Sequence, residues 1–346
     1  MDLRRVSGLS RIAYLAQKYR LVLQLFRKNM LFNVLLIIPY AFILHLGSWF
    51  RPLPLVNEPK NWFFNLVFKD YIQDLSFTFI ASAFLIAIQA ILINRIVNKF
   101  RMNQDAQLFP GVIYILFCSF HQETINFGPV LVANLFFILA LGYILDIYVK
   151  KTVPLQLFNF GLFIGLASLF YLPYYIYIFL GVVAIILLRG ISFREVIQII
   201  AGYFNVHFLL FTFLYFFESE HLFFPLEGGG YFKPYIFSFH FGSRGLFHMG
   251  MVFLMLSIVL AQYNFFQIRR SIIIQKYYDL IFWTLLISFF SMLFLDVSSI
   301  SHLTLLITPI SFLIGLLVTR IKNPLILETL HLIFVFSALF LQLQNW

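Results

Sequence analysis

Residues 30–49 read MLFNVLLIIPYAFILHLGSW and contain no Asp, Glu, Lys or Arg. A helix of this length can cross the roughly 30 Å apolar core of a bilayer. The 29 residues before it carry seven Lys and Arg residues and lack the apolar core of a signal peptide. Since basic residues near a span are retained in the cytoplasm, this stretch predicts a first membrane span that starts inside.

The composition of the whole chain fits the same class of protein. Hydrophobic residues make up 62% of the 346 residues and charged residues 11%, against about 45–50% and 25% in soluble domains. The net charge of +10 is explained by orientation in the membrane, so we expect no nucleic acid partner. The single Cys118 excludes an internal disulfide. We predict no metal site and no cofactor.

Threading the apolar stretches through a bilayer predicts an all-α, polytopic transmembrane helical bundle with about 11 spans. The N-terminus is then cytoplasmic and the C-terminus extracytoplasmic, and 19 of the 24 Lys and Arg residues fall inside. The third span is short and either crosses fully or is re-entrant. The predicted spans are 30–49, 75–97, 105–120, 129–147, 155–171, 174–188, 196–217, 249–267, 280–295, 303–319 and 325–344.

This threading defines two parts of the chain. Residues 1–29 are predicted to form a basic amphipathic helix on the cytoplasmic leaflet, attracted by anionic lipids. Residues 30–346 form a single transmembrane domain, with extracytoplasmic segments at 50–74 and 218–248. We place the protein in the bacterial inner (cytoplasmic) membrane as a multi-pass protein.

Polar side chains on the predicted outer face suggest a site. The segment from Trp62 to Phe68 is apolar, and Asp70 and Asp74 follow it. A four-residue spacing in one helix would place both carboxylates on one face. The turn from His121 to Asn126 contains Glu123 between two short spans, where a carboxylate near membrane depth is a functional candidate. A plain connecting helix and an ordinary solvated turn are the alternatives.

Several other polar residues could have either a functional or a structural role. The long outer segment carries His221 and Arg244 on either side of a run of three glycines, and Arg51 follows the first span. Glu328 is the one acid predicted within a span, and a structural role competes with a functional one. The four-residue spacing of Gly161 and Gly165 is typical of close helix packing.

Residues 105–217 resemble part of the GT-C superfamily of membrane glycosyltransferases. The features that carry the resemblance are a short span, a polar outer turn, the glycine-bearing hairpin FNFGLFIGLASLFYLPYYIYIFL (158–180), the basic turn LLRGISFRE (187–195) and a span that opens VIQIIAGYFNVH (196–207). The chain as a whole resembles a family of uncharacterised polytopic membrane proteins of Bacteroidota. The GT-C resemblance implies an outward-facing site that takes sugars from a polyprenyl-phosphate carrier.

The chain departs from the GT-C pattern directly after the first span. GT-C enzymes usually have a catalytic acid there, whereas this chain reads Ser48-Trp49-Phe50-Arg51. Either Asp70, with Glu123 as second candidate, has taken over as the catalytic base, or the chain is a non-catalytic membrane subunit of an envelope complex for secretion, motility or assembly, with protein partners. In the first case His121 or Arg51 would bind the carrier phosphate, and Asp74, His221 and Arg244 would complete the ligand site. Membrane lipids are partners in both cases.

Overall fold

The computed structural model describes residues 22–50, 62–120, 122–148, 150, 152–190, 192–219, 243–268, 270–294, 300–321 and 323–343. Every regular element in these ranges is helical. The helices are α1 Val22–Leu25, α2 Leu31–Phe50, α3 Trp62–Ile72, α4 Leu75–Lys99, α5 Phe109–Cys118, α6 Gln122–Ile125, α7 Pro129–Asp146, α8 Pro154–Phe170, α9 Ile178–Leu188, α10 Phe193–Phe216, α11 Ser243–Ala261, α12 Tyr263–Gln267, α13 Ile272–Phe294, α14 Thr304–Val318 and α15 Pro324–Leu343, with 3₁₀ segments at Leu172–Tyr177 and Ile300–Leu303.

The prediction of an all-α, membrane-type protein is confirmed. Six helices (α2, α4, α7, α10, α13 and α15) are long and apolar enough to cross a membrane. Shorter apolar helices occupy the other five predicted spans, so the count of 11 crossings stays a prediction. The predicted span 249–267 is divided, because α11 ends at Ala261 and α12 begins at Tyr263.

Two of the shorter helices form the centre of the bundle. Nearly every residue of α5 and of α14 is buried. Glycines allow them to approach their neighbours closely: a Cβ at Gly315 of α14 would lie 2.4 Å from Pro110 Cα, and one at Gly111 of α5 would lie 2.4 Å from Ala90 O of α4. Helices α2, α4 and α15 contact α5, and α7 and α13 contact α14, whereas α10 packs on α8 and α9. Helices α10 and α15 bury the smallest share of their apolar stretches.

The segments that were predicted to be cytoplasmic lie at one end of the bundle, which we call the basic end. Lys99 at the end of α4 pairs with Asp146 at the end of α7 at 2.6 Å. Arg189 after α9 donates a 2.9 Å hydrogen bond to Lys150 O. These contacts place the predicted inner segments together; which side of the membrane they face stays a prediction.

The described part of the N-terminal segment is held against the bundle. Leu23 N–H donates a 3.0 Å hydrogen bond to the buried Glu328 carboxylate of α15. Tyr40 Oη of α2 lies 2.9 Å from His331 Nε2, one turn further along α15. Of the predicted helix 1–29, residues 1–21 lie outside the described ranges. The Glu328 carboxylate therefore pairs with the Leu23 N–H, as we expect if its role is structural.

The closest helix pair is α8 with α10, and glycines explain it. A Cβ on Gly161 would lie 2.0 Å from Ile199 O, and a Cβ on Gly202 would lie 2.1 Å from Phe158 O. No side chain fits at such distances, so the two backbones pack directly on each other. The predicted packing role of Gly161 is confirmed.

Gly161→Ala is expected to destabilise the protein by about 1–3 kcal/mol, because α8 and α10 must separate to admit the methyl group. The unfolding transition of the purified protein in detergent measures this. Gly250→Ala in α11 is the matched control: its Cβ would have no heavy atom within 4 Å, so it should leave the transition unchanged or raise it. Equal behaviour of the two variants would contradict the packing role.

Candidate functional site

The end of the bundle opposite the basic end carries the candidate site. Helix α3 lies there on the turn 119–128, which contains α6. Phe64 and Phe68 of α3 contact the ring of Phe127 with centroids 5.6 and 5.1 Å apart. Phe63 packs on Phe170 at the end of α8, at 5.0 Å. The aromatic face of α3 thus attaches the first predicted outer segment to the polar turn.

The turn 119–128 follows a helix that is unusually short for a membrane protein. With 10 residues, α5 covers about 15 Å at 1.5 Å per residue, half of an apolar bilayer core. Irregular backbone that lies within an apolar bilayer core must be satisfied inside the protein. Thr124 Oγ1 donates to Cys118 O at 2.5 Å, and Gln342 Nε2 of α15 donates to Ser119 O at 2.6 Å and to Leu44 O at 2.9 Å.

The two predicted aspartates do not share a helix, which corrects the expectation drawn from their spacing. Helix α3 ends at Ile72, and Asp74 is the N-cap of α4, where its Oδ1 accepts the Ser76 N–H at 2.8 Å. An N-cap carboxylate satisfies a free N–H of the first helical turn, so the chain breaks at this point. Asp70 lies exposed in the last turn of α3 and makes no hydrogen bond or ion pair with a described residue.

The other predicted site residues are only partly placed. The backbone of Glu123 lies in α6 and that of Arg244 in the first turn of α11, while the side chains of both lie outside the described part of the structure. Arg51, His121 and His221 lie outside the described residues altogether. Of the predicted ligand set, the structure therefore brings the α3 helix with Asp70 and the turn with Glu123 to the same end of the bundle.

A buried polar network lies beneath this end, in the interior of the bundle. Its centre is Asn134, in the second turn of α7. Asn134 Nδ2 donates to Gln89 Oε1 of α4 at 3.0 Å and to Tyr114 Oη of α5 at 2.9 Å. Its Oδ1 accepts from Tyr174 Oη at 3.1 Å and from Thr308 Oγ1 of α14 at 2.9 Å. These four hydrogen bonds use both N–H groups and both lone pairs of the amide.

The rest of the network is satisfied in the same way. The Tyr114 hydroxyl also donates to Gln89 Oε1, and Gln89 Nε2 donates to Leu131 O at 2.8 Å. All five side chains are fully buried. The network contains amides and hydroxyls only, without a carboxylate or a cation. It therefore joins four helices and a 3₁₀ segment.

A second set of hydroxyl contacts continues along the 3₁₀ segment Leu172–Tyr177. Tyr171, which precedes the segment, hydrogen-bonds His302 in the other 3₁₀ segment. Tyr177 Oη lies 2.7 Å from Ser288 Oγ of α13. Tyrosines at three-residue intervals eclipse one another in a 3₁₀ helix, so Tyr171, Tyr174 and Tyr177 present a row of hydroxyls to three different elements.

Sequence reasoning missed this network, although a signal was present. Gln89 and Asn134 are isolated amides in otherwise apolar stretches, AIQAIL (87–92) and VANLFF (132–137). Polar residues inside a span face the bundle interior and pair with one another. The pattern indicates that each amide has a partner, but a single sequence does not show that the two share one.

No protein-family model, curated protein or solved structure matches the chain. The geometry described above is therefore the basis for assigning a function.

Asn134→Leu is expected to destabilise the protein by about 1–3 kcal/mol, because the substitution keeps the volume but leaves the buried Tyr174 hydroxyl without its acceptor and removes a donor from Gln89 Oε1 and Tyr114 Oη. Unfolding in detergent, followed by helical circular dichroism, measures the change. The control is Asn65→Leu, at an exposed position of α3, which should shift the transition little. An unchanged unfolding transition in Asn134→Leu would mean that the network contributes nothing to stability.

Proposed function

We propose that the protein is a GT-C-like membrane protein of the bacterial inner membrane that handles glycans carried on polyprenyl phosphate at its outer face. The observation that carries the proposal is the attachment of α3 to the turn 119–128 through Phe64, Phe68 and Phe127. This attachment brings the helix of Asp70 and the turn of Glu123 to one end of the bundle, where two carboxylates could serve one substrate.

Asp70 is the catalytic base in this proposal. Its carboxylate is exposed at the end of an apolar helix and has no partner among the described residues, so it is accessible to an acceptor at the membrane surface. The acceptor hydroxyl oxygen bonds to the anomeric carbon, the bond from that carbon to the carrier phosphate breaks, and Asp70 takes the hydroxyl proton. Glu123 is the second candidate for this role.

The remaining predicted residues complete the proposed ligand site. His121 or Arg51 would bind the carrier phosphate, since both are donors to anionic oxygens. Asp74, His221 and Arg244 would contact the sugar or its acceptor. For Asp74 this contact is limited by its cap hydrogen bond to Ser76, which occupies one carboxylate oxygen.

A second candidate function is a non-catalytic subunit of an envelope complex. The observation in its favour is the chemistry of the described interior beneath the site: the network around Asn134 is neutral and fully paired. An interior of this kind supports a rigid scaffold without requiring catalysis. Its partners would bind at the end of the bundle that carries α3.

Asp70→Asn is expected to lower glycan transfer by about 10²–10⁴-fold, the usual contribution of a general base, without changing the unfolding transition. The measurement is turnover of the membrane's own polyprenyl-phosphate-linked sugars, followed by lipid mass spectrometry. It compares membranes that lack the protein with membranes that contain the wild type, Asp70→Asn or Glu218→Gln. Glu218, an exposed carboxylate after α10, is the matched control and should keep full activity.

The same preparations separate the two functions. Wild-type protein that changes no lipid-linked sugar, but purifies with a stoichiometric protein partner, would reject the enzyme and support the subunit. Full turnover by Asp70→Asn would reject Asp70 as the base and direct the same measurement to Glu123→Gln.

A further inference from the structure

A cleft of about 740 Å³ opens at the basic end, far from the candidate site. Its walls come from residues 27–30, from residues 103–107 with Phe109, from Phe265 and Arg270, and from residues 318–321 at the end of α14. Hydrogen bonds hold the first two walls in place: Leu108 N–H donates to Phe26 O at 3.0 Å, and Asn33 Nδ2 donates to Lys28 O at 2.9 Å. With Leu327 of α15, which also lines it, the cleft is built from five separate parts of the chain.

The charge of the cleft is strongly positive. Arg27, Lys28, Arg270 and Arg320 line it, and Asp105 is the one acid among the described lining residues. None of these four cations forms an ion pair with a described residue; the described ion pairs, Lys99–Asp146 and Arg189–Glu195, lie elsewhere. Like charges brought together without a counter-charge repel each other, and an anion relieves that repulsion.

Two of the cations are held in position by an aromatic ring. The guanidinium of Arg320 lies 3.9 Å from the ring centroid of Phe265, and that of Arg270 lies 5.4 Å from the same centroid. Arg320 Nη1 also donates to Gln262 Oε1 at 3.2 Å. Guanidinium groups oriented in this way can offer paired N–H donors to a phosphate.

A buried amide adds a further donor. Gln107 lines the cleft and is 2% exposed, and its Nε2 has no hydrogen-bond partner among the described residues. Its backbone is fixed on both sides by Asn98, through hydrogen bonds of 3.0 and 3.1 Å. A buried N–H without an acceptor is costly, and a small shift of this side chain toward the cleft would pair it with an acceptor oxygen of a ligand.

We propose that this cleft binds the phosphate headgroup of an anionic membrane lipid. The cations and the Gln107 amide would bind the phosphate oxygens. The lining also includes apolar side chains on which the glycerol and upper acyl chains can lie: Met30, Phe109, Val318, Ile321 and Leu327. Free phosphate offers the same oxygens as the headgroup, but it has no apolar part that could contact these side chains. Basic groups between helix ends are also where headgroups of anionic lipids lie. The proposal is independent of the glycan function.

Native mass spectrometry of the full-length protein in detergent tests this inference. The probes are phosphatidylglycerol and phosphatidylcholine with identical acyl chains, and inorganic phosphate alone. We expect the wild type to bind phosphatidylglycerol in preference to phosphatidylcholine, and Arg270→Gln with Arg320→Gln to weaken phosphatidylglycerol binding roughly tenfold or more, since two charge-assisted contacts are lost.

The control replaces two cations at the same end of the bundle but outside the cleft. Lys150 and Arg194 are exposed and do not line it, so Lys150→Gln with Arg194→Gln should change phosphatidylglycerol binding by less than about twofold. If the first double variant does not purify as a monodisperse protein, Arg27→Gln with Lys28→Gln tests the opposite wall.

Three results would overturn the proposal: equal binding of the two lipids, an equal loss in the control variant, or displacement of phosphatidylglycerol by inorganic phosphate. The last result would assign the cleft to a free anion.

Discussion

A ten-residue helix at the centre of the bundle sets the main physical constraint on this protein. Helix α5 is half as long as a bilayer core is thick, and side chains of the protein pair with the backbone that follows it. The surrounding helices supply what it needs: Gln342 of α15 donates to Ser119 O, and Thr124 closes the turn onto Cys118 O. Gln342 is thus one of the residues that hold α15 against the bundle, together with Glu328 and His331.

The network around Asn134 meets a second demand of the same environment. Amides and hydroxyls in an apolar interior are costly unless they pair with one another, and Asn134 pairs with four partners at once. Because those partners come from α4, α5, α14 and a 3₁₀ segment, one side chain determines the relative positions of four elements. Close packing at glycines fixes the positions of α8 and α10 relative to each other without any polar side chain.

Hydropathy and charge predicted much of the fold, because both act locally along the chain. Each predicted span contains an apolar helix, and Gly161 packs as its spacing indicated. The relation of Asp70 to Asp74 could not be predicted in this way. The helix break between them contains neither Gly nor Pro, and only the capping hydrogen bond of Asp74 reveals it. The Asn134 network and the cleft around Arg320 depend on residues far apart in sequence, and no local pattern contains that information.

The sequence distances within the Asn134 network have a consequence for biogenesis. Tyr174 follows Asn134 by 40 residues, but Thr308 follows it by 174. During synthesis, α7 is complete long before the ribosome reaches α14, so one lone pair of Asn134 lacks its final partner for most of translation. An incomplete chain therefore carries a buried acceptor, Asn134 Oδ1, that gains its second donor only when α14 has been made. Chains that stop before α14 keep this acceptor without the Thr308 donor.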